Sequence, residues 1–167
     1  FEVKHARRFF ANLGAGCMGH SVGAAVGAAM AVRTAGRSSR TFAVIGDAAF
    51  AMYGAELHVA AELQLPTTVI VANDAGHGMI ADGETLLGGI VSPVRFARPI
   101  DFVALAKGYG VPARRVSNPD ELADALQSPV EGPCLIDVRV VPGEVCESLR
   151  ARARHVKAMI AKAQAAR

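Results

Sequence analysis

The chain has 167 residues, 51% of them apolar and 20% charged, with a net charge of only +3. That is enough chain for one domain with a real core. It is too weakly basic for a nucleic-acid surface, and its one basic cluster, Arg33, Arg37 and Arg40, reads as a solvated loop. Cys17, Cys134 and Cys146 form neither a CxxC pair nor a zinc pattern. Their odd number argues against a disulfide framework and points to a reducing cytoplasm. The longest apolar stretch, 22–32, is too short and too rich in small residues to span a membrane. No signal peptide is visible. The chain begins at Phe1 rather than Met, so an upstream portion is expected.

In chain order, the segment 1–13 mixes basic and apolar residues and ends in an expected short strand over 9–13. A glycine-rich turn at 14–19 leads into an Ala/Gly/Val-rich helix over 21–35, with Ser21 as N-cap. A polar loop precedes a first strand over 41–46. The spacing of Leu57, Ala60, Ala61 and Leu65 predicts one helix over 50–65, stopped by Pro66. A second strand follows over 67–72. Residues 75–99 carry many Gly and Pro and no periodicity, which predicts a long functional loop. Asp101 caps a helix to Tyr109, closed by Gly110. Strands are expected at 113–116 and 134–141. Between them Asn118 and Pro119 open a helix running to Leu126. A terminal amphipathic helix is expected over 147–167. Strand and helix alternate, which implies an α/β fold of three α/β/α layers with a mostly parallel sheet. There is no internal repeat and no second domain within residues 1–167.

The strands over 41–46 and 67–72 each run into a carboxylate, Asp47 and Asp74. Ligands of open α/β sheets bind outside the carboxyl ends of the strands. Hard oxygen donors beside glycine-rich backbone suit a cation that also holds phosphate, best magnesium. A competing motif lies upstream. Gly14-Ala15-Gly16-Cys17-Met18-Gly19 satisfies G-x-G-x-x-G, so a nicotinamide-dinucleotide oxidoreductase domain is one alternative. That motif wants a carboxylate about 20 residues on. The zone from Thr34 to Arg40 has none, and the strand-end carboxylates stay unexplained.

Another pattern uses more of the chain. Gly46-Asp47-Ala48, then Glu56-Leu57, then Asn73-Asp74-Ala75-Gly76-His77-Gly78-Met79, resembles the diphosphate-binding domain of thiamine diphosphate-dependent enzymes. The run Gly16-Cys17-Met18-Gly19, the run Gly78-Met79-Ile80, the Asp101–Gly110 segment and the Gly132–Val138 strand are similar to the acetolactate synthase and 2-oxo acid decarboxylase group. The resemblance covers nearly the whole chain. It implies thiamine diphosphate and Mg2+ as cofactors. It implies a reaction that decarboxylates a 2-oxo acid and then protonates or ligates the resulting enamine.

The resemblance also implies site roles. Asp47, the side chain of Asp74 and the Gly76 carbonyl would ligate magnesium, with Asn73 replacing Asp74 if the register shifts. Ala48, Ala49, His77 and Gly78 would present backbone amides to the diphosphate. Gly16 would accept the aminopyrimidine amino group, and Met18 would hold the cofactor bent. Met79 lies in the matched GMI run. His20 and His77 are the acid/base candidates, and no catalytic residue is assigned to this chain. Cys17 reads as a small filler and Glu56 as a structural helix residue. The departure is Asp74 where the family has Asn. Its added charge beside a diphosphate costs free energy unless magnesium or a nearby cation offsets it. The glutamate that such enzymes use on the pyrimidine ring has no counterpart here. Pyrimidine-binding and middle domains are therefore expected from an upstream portion or a separate subunit, in a homodimer or tetramer. The alternative at that level is a non-catalytic cofactor-binding subunit.

Overall fold

The computed structural model describes residues 3–5, 8–89, 93–129 and 131–165. Parts of the expected 1–13 segment, residues 90–92 of the expected loop and the last two residues of the terminal helix lie outside the described residues. Four strands form one sheet: β1 (Thr41–Gly46), β2 (Thr67–Asn73), β3 (Ala113–Val116) and β4 (Cys134–Arg139). Their order is β1-β2-β4-β3 and every pairing is parallel. Central β2 is buried along most of its length, as expected of a parallel strand covered on both faces.

The connections place the helices. The chain steps in one direction from β1 to β2 and on to β3, then back from β3 to β4. Right-handed crossovers therefore put the helices of the forward steps on one face and the helix of the return step on the other. The first face carries α1 (His20–Thr34), α2 (Asp47–Tyr53), α3 (Glu56–Glu62) and α5 (Phe102–Gly108). Val22, Ala25, Val26, Ala29, Phe50, Leu57 and Phe102 pack there against Ile45, Val69, Val71 and Leu135. Phe50 and Phe102 meet edge to face at 5.4 Å. The second face carries α6 (Pro119–Gln127), whose Ala125 packs with Val116 and Ile136. That cover stops short of β1, where Phe42 and Val44 stay exposed and Arg40 lies over the Phe42 ring. The result is the expected three-layer α/β/α architecture.

Several expectations are corrected. No strand forms over the described residues 9–13. Helix α1 begins at His20 after Gly19, whose φ of 88° makes the turn, and Ser21 does not cap it. The expected 50–65 helix starts earlier, at Asp47, and is two helices. It breaks at Gly54, a position the Phe50 ring keeps for glycine, since a Cβ there would meet the ring at 2.5 Å. The expected 75–99 loop contains α4 (Gly78–Leu87). This helix rests on α7 (Glu147–Ala165) rather than on the sheet and buries Ala81, so it shows no apolar stripe. Strand β4 stops at Arg139, although Val140 still donates to the Asn73 carbonyl. The caps at Asp101 and Asn118 form as expected, each side chain accepting from a first-turn amide.

Candidate functional site

Strands β1 and β2 end side by side, with Gly46 opposite Ala72. The chain turns directly from β1 into α2, so Asp47 is both the first residue past the strand and the first of a helix. It is 2% exposed. One carboxylate oxygen accepts from the Ala48 amide and the other from the Gly76 amide, each at 2.8 Å. Asp47 thus ties the end of β1 to the loop after β2. Among the described residues no Lys, Arg or His lies within ion-pair distance of it. Burial pushes the Asp47 carboxyl above its ordinary range. The Gly76 and Ala48 amides pull the other way, and the charge of Asp74 adds to the rise.

The loop itself is built by local chemistry. Asn73 accepts from the Ala75 amide, an Asx turn, and Ala75 follows in the left-handed region at φ 63°. Gly76 then pairs antiparallel with Arg95. The His77 amide donates to Val94 and the Phe96 amide to Ala75, so 75–77 and 94–96 form a short ladder. A Cβ at Gly76 would lie 2.6 Å from the Val94 carbonyl oxygen and 2.8 Å from the Arg95 Cα. The His77 ring rests edge-on against Phe96. Gly78 opens α4 beneath the Asp74 carboxylate, which a Cβ there would overlap.

The sequence-derived residues divide into three groups. Asp47, Ala48, Ala49, Asp74, Gly76, His77 and Gly78 come together at the carboxyl edge of β1 and β2. Asn73 spends its side chain on the loop and on β4, its oxygen accepting from the Ala75 amide. It is 1% exposed and donates to Asp137 on β4 at 2.8 Å. Asp137 is fully buried and also receives Arg115, which reaches on to Asp101. Asn73 is thereby committed to cross-strand structure. Gly16, Met18 and His20 lie at the start of α1. Met18 and His20 border a pocket with Cys17, Gly19, Gly23, Ala24, Tyr53 and Glu56. Gly19 abuts Tyr53 so closely that a Cβ would sit 2.5 Å from the tyrosine Cβ. His20 lies against Phe10, and Cys17 is exposed rather than filling a core gap. Met79 is 78% exposed.

Two participants escaped the sequence reading. Arg95 pairs with Asp74 at 2.5 Å, also reaches the Asp74 carbonyl, and lies 3.6 Å from Asp82. Tyr53 joins the Met18 pocket. No spacing signal marks either one, because each contact is made by tertiary folding. The residues fit a divalent cation bound together with an anion. Asp47 is a buried carboxylate with spare lone pairs and no cationic partner among the described residues, beside a second carboxylate and a loop carbonyl. The described residues contain no group of three His, Cys, Asp or Glu able to hold a metal alone, so a ligand would have to complete the set.

The comparisons with known proteins bear on this geometry. A family model described as thiamine pyrophosphate enzyme, C-terminal TPP binding domain, matches residues 1–138. A probable acetolactate synthase large subunit of Methanocaldococcus jannaschii is 33% identical over 147 residues, 86% of this chain and 24% of that protein. A thiamine diphosphate-dependent 4-hydroxybenzoylformate decarboxylase of Rhodococcus jostii superposes with a TM-score of 0.66 at 29% identity, over 77% of this chain and 24% of that one. A benzoylformate decarboxylase of Polynucleobacter necessarius shares the fold, with a TM-score of 0.69 at 23% identity over 77% of this chain and 24% of that one. The chain spans about a quarter of the length of the relatives it matches.

Proposed function

The chain belongs to the family of C-terminal TPP-binding domains of thiamine pyrophosphate enzymes, and from that premise we propose that its β1–β2 edge anchors the diphosphate of thiamine diphosphate through Mg2+. The enzyme it serves decarboxylates a 2-oxo acid and passes the product on to a proton or a carbonyl acceptor. The observation that carries the metal reading is Asp47: a buried carboxylate, held by two amides, with no cation in reach among the described residues. Burying such a charge alone is costly, and a bound divalent cation relieves that cost.

Thiamine diphosphate, when bound, supplies the nucleophilic carbon and the electron sink of the reaction. This chain's residues bind and orient. Asp47 holds the metal, with the Gly76 carbonyl and Asp74 as the further protein ligands. The backbone amides of Ala49 and Gly78 face the diphosphate at two helix starts, whereas the expected Ala48 and His77 amides are already given to Asp47 and to the Val94 carbonyl. Gly16 and Met18 shape the site around the aminopyrimidine, and Met79 is kept as an outward-facing residue of that site. Asn73 serves the loop rather than the metal. His20 and His77 hold positions by ring contacts with Phe10 and Phe96. The pyrimidine-activating glutamate and the rest of the substrate pocket belong to pyrimidine-binding and middle domains outside this chain, within a homodimer or tetramer in the cytoplasm.

Calorimetric titration of the full-length protein with thiamine diphosphate tests the reading. Heat is expected with magnesium and is lost when chelator removes the metal. Asp47→Ala is expected to weaken magnesium-dependent binding by about 100-fold or more, a difference of about 2.7 kcal/mol. Binding that ignores magnesium, or survives Asp47→Ala, overturns it.

A further inference from the structure

The position where the family pattern has a neutral Asn holds Asp74, and the fold answers that charge. Arg95 comes from the 80–99 stretch, which matches no motif of the resemblance. Its guanidinium lies 2.5 Å from the Asp74 carboxylate and donates to the Asp74 carbonyl at 3.1 Å. The backbone of the same residue pairs with Gly76, and its neighbours Val94 and Phe96 bond to His77 and Ala75. One residue therefore neutralises the extra carboxylate and fixes the loop that carries it. Asp74 is 17% exposed and Arg95 33%, so solvent screens the pair only in part.

We propose that Arg95 is a positioning residue that cancels the charge of Asp74, so that the pair acts at the cofactor anchor as one neutral group. The inference rests on the proposed function. With Asp47 and Asp74 both ionised, an incoming diphosphate meets two carboxylates and one magnesium ion. Arg95 offsets one of those charges without occupying the face of Asp47. Without it, Asp74 repels the diphosphate, and its side chain is no longer held over Gly78. Asp82, a second carboxylate near Arg95, begins from a longer separation of 3.6 Å and matters less.

The test is a double-mutant cycle on the full-length protein. It is read as the affinity for thiamine diphosphate at saturating magnesium, and as the melting temperature without metal or cofactor. Arg95→Gln is expected to weaken cofactor binding at least tenfold and to lower the melting temperature. Asp74→Asn alone sets the reference affinity of the cycle, because Asp74 is itself a proposed metal ligand. Adding Asp74→Asn to Arg95→Gln is expected to restore affinity to that level, because the charge that needed cancelling is gone. An Arg95→Gln effect under twofold overturns the proposal. So does an equal loss with and without the Asp74→Asn substitution, which is the mark of a purely structural role. If Arg95→Gln fails to fold, recovery of folding in the double variant supports the proposal and failure of the double variant overturns it. If wild type shows no magnesium-dependent heat, the function reading falls. The melting cycle then still decides the coupling: rescue of Arg95→Gln by Asp74→Asn supports it, and no rescue overturns it.

Discussion

At the scale of single residues, Asp47 is where the physical chemistry is sharpest. Its carboxyl is raised above the ordinary value of 3.8 chiefly by burial, against the pull of two amides. A raised folded value means that the folded state binds the proton more tightly than the unfolded state. The stability Asp47 contributes is therefore fully present below the ordinary carboxyl range and is lost as pH rises through the folded value. In metal-free protein, Asp47→Asn removes that dependence. Thermal melts across the acid range are expected to show wild type losing stability relative to Asp47→Asn as pH rises. Saturating magnesium with cofactor is expected to reverse the trend, since the ionised form is then the bound one. A gap between the two proteins that stays flat with pH contradicts the burial argument.

At the scale of elements, two short features after β2 do the positioning. The Asx turn at Asn73 starts the loop, and the 75–77/94–96 ladder finishes it. Gly76 is the close-approach point of that ladder. Gly76→Ala must push the Val94–Arg95 backbone away, which is expected to cost about 1–3 kcal/mol in denaturant unfolding. It is also expected to loosen the Asp47 contact, visible as faster amide exchange at residue 76. This ladder was not legible in the sequence, because 94–96 has neither alternation nor length enough to read as a strand. Helix α4 was missed for a related reason. It leans on α7 instead of the sheet, so burial imposes no stripe on it, and glycines at 78 and 83 dilute its propensity. By contrast, α6 was readable from its ends, since Asn118 and Pro119 carry their signals locally.

At the scale of the whole molecule, the sheet presents one well-covered face and one partly bare face. Helices α1, α2, α3 and α5 bury the first. On the second, Phe42 is 50% and Val44 68% exposed. The proposed cofactor edge is likewise one-sided: Asp47, Asp74 and the Gly76 loop gather at the ends of β1 and β2, and Met79 just beyond them is 78% exposed. A cofactor held from one side keeps its other contacts for another domain. The 167-residue chain alone is accordingly expected to bind thiamine diphosphate about 100-fold more weakly than the full-length protein, measured by the same titration. Equal affinity would place the whole binding site on this chain.

By itself the sequence determined what is local or periodic. Three of the four strands, β1, β2 and β4, are short, mainly apolar runs bounded by Gly, Pro and Asp. The caps at Asp101 and Asn118 need only neighbouring residues. The order of the motifs from Gly16 to Met79 identified the family. Tertiary structure decided what depends on residues far apart in the chain. It turned Asn73 toward Asp137, brought Arg95 onto Asp74 and set Tyr53 against Gly19. It left Asp47 buried with amides on both oxygens. Propensity and spacing act over a few residues, whereas the charge balance of a site is set by which distant side chains the fold brings within a few ångströms of it.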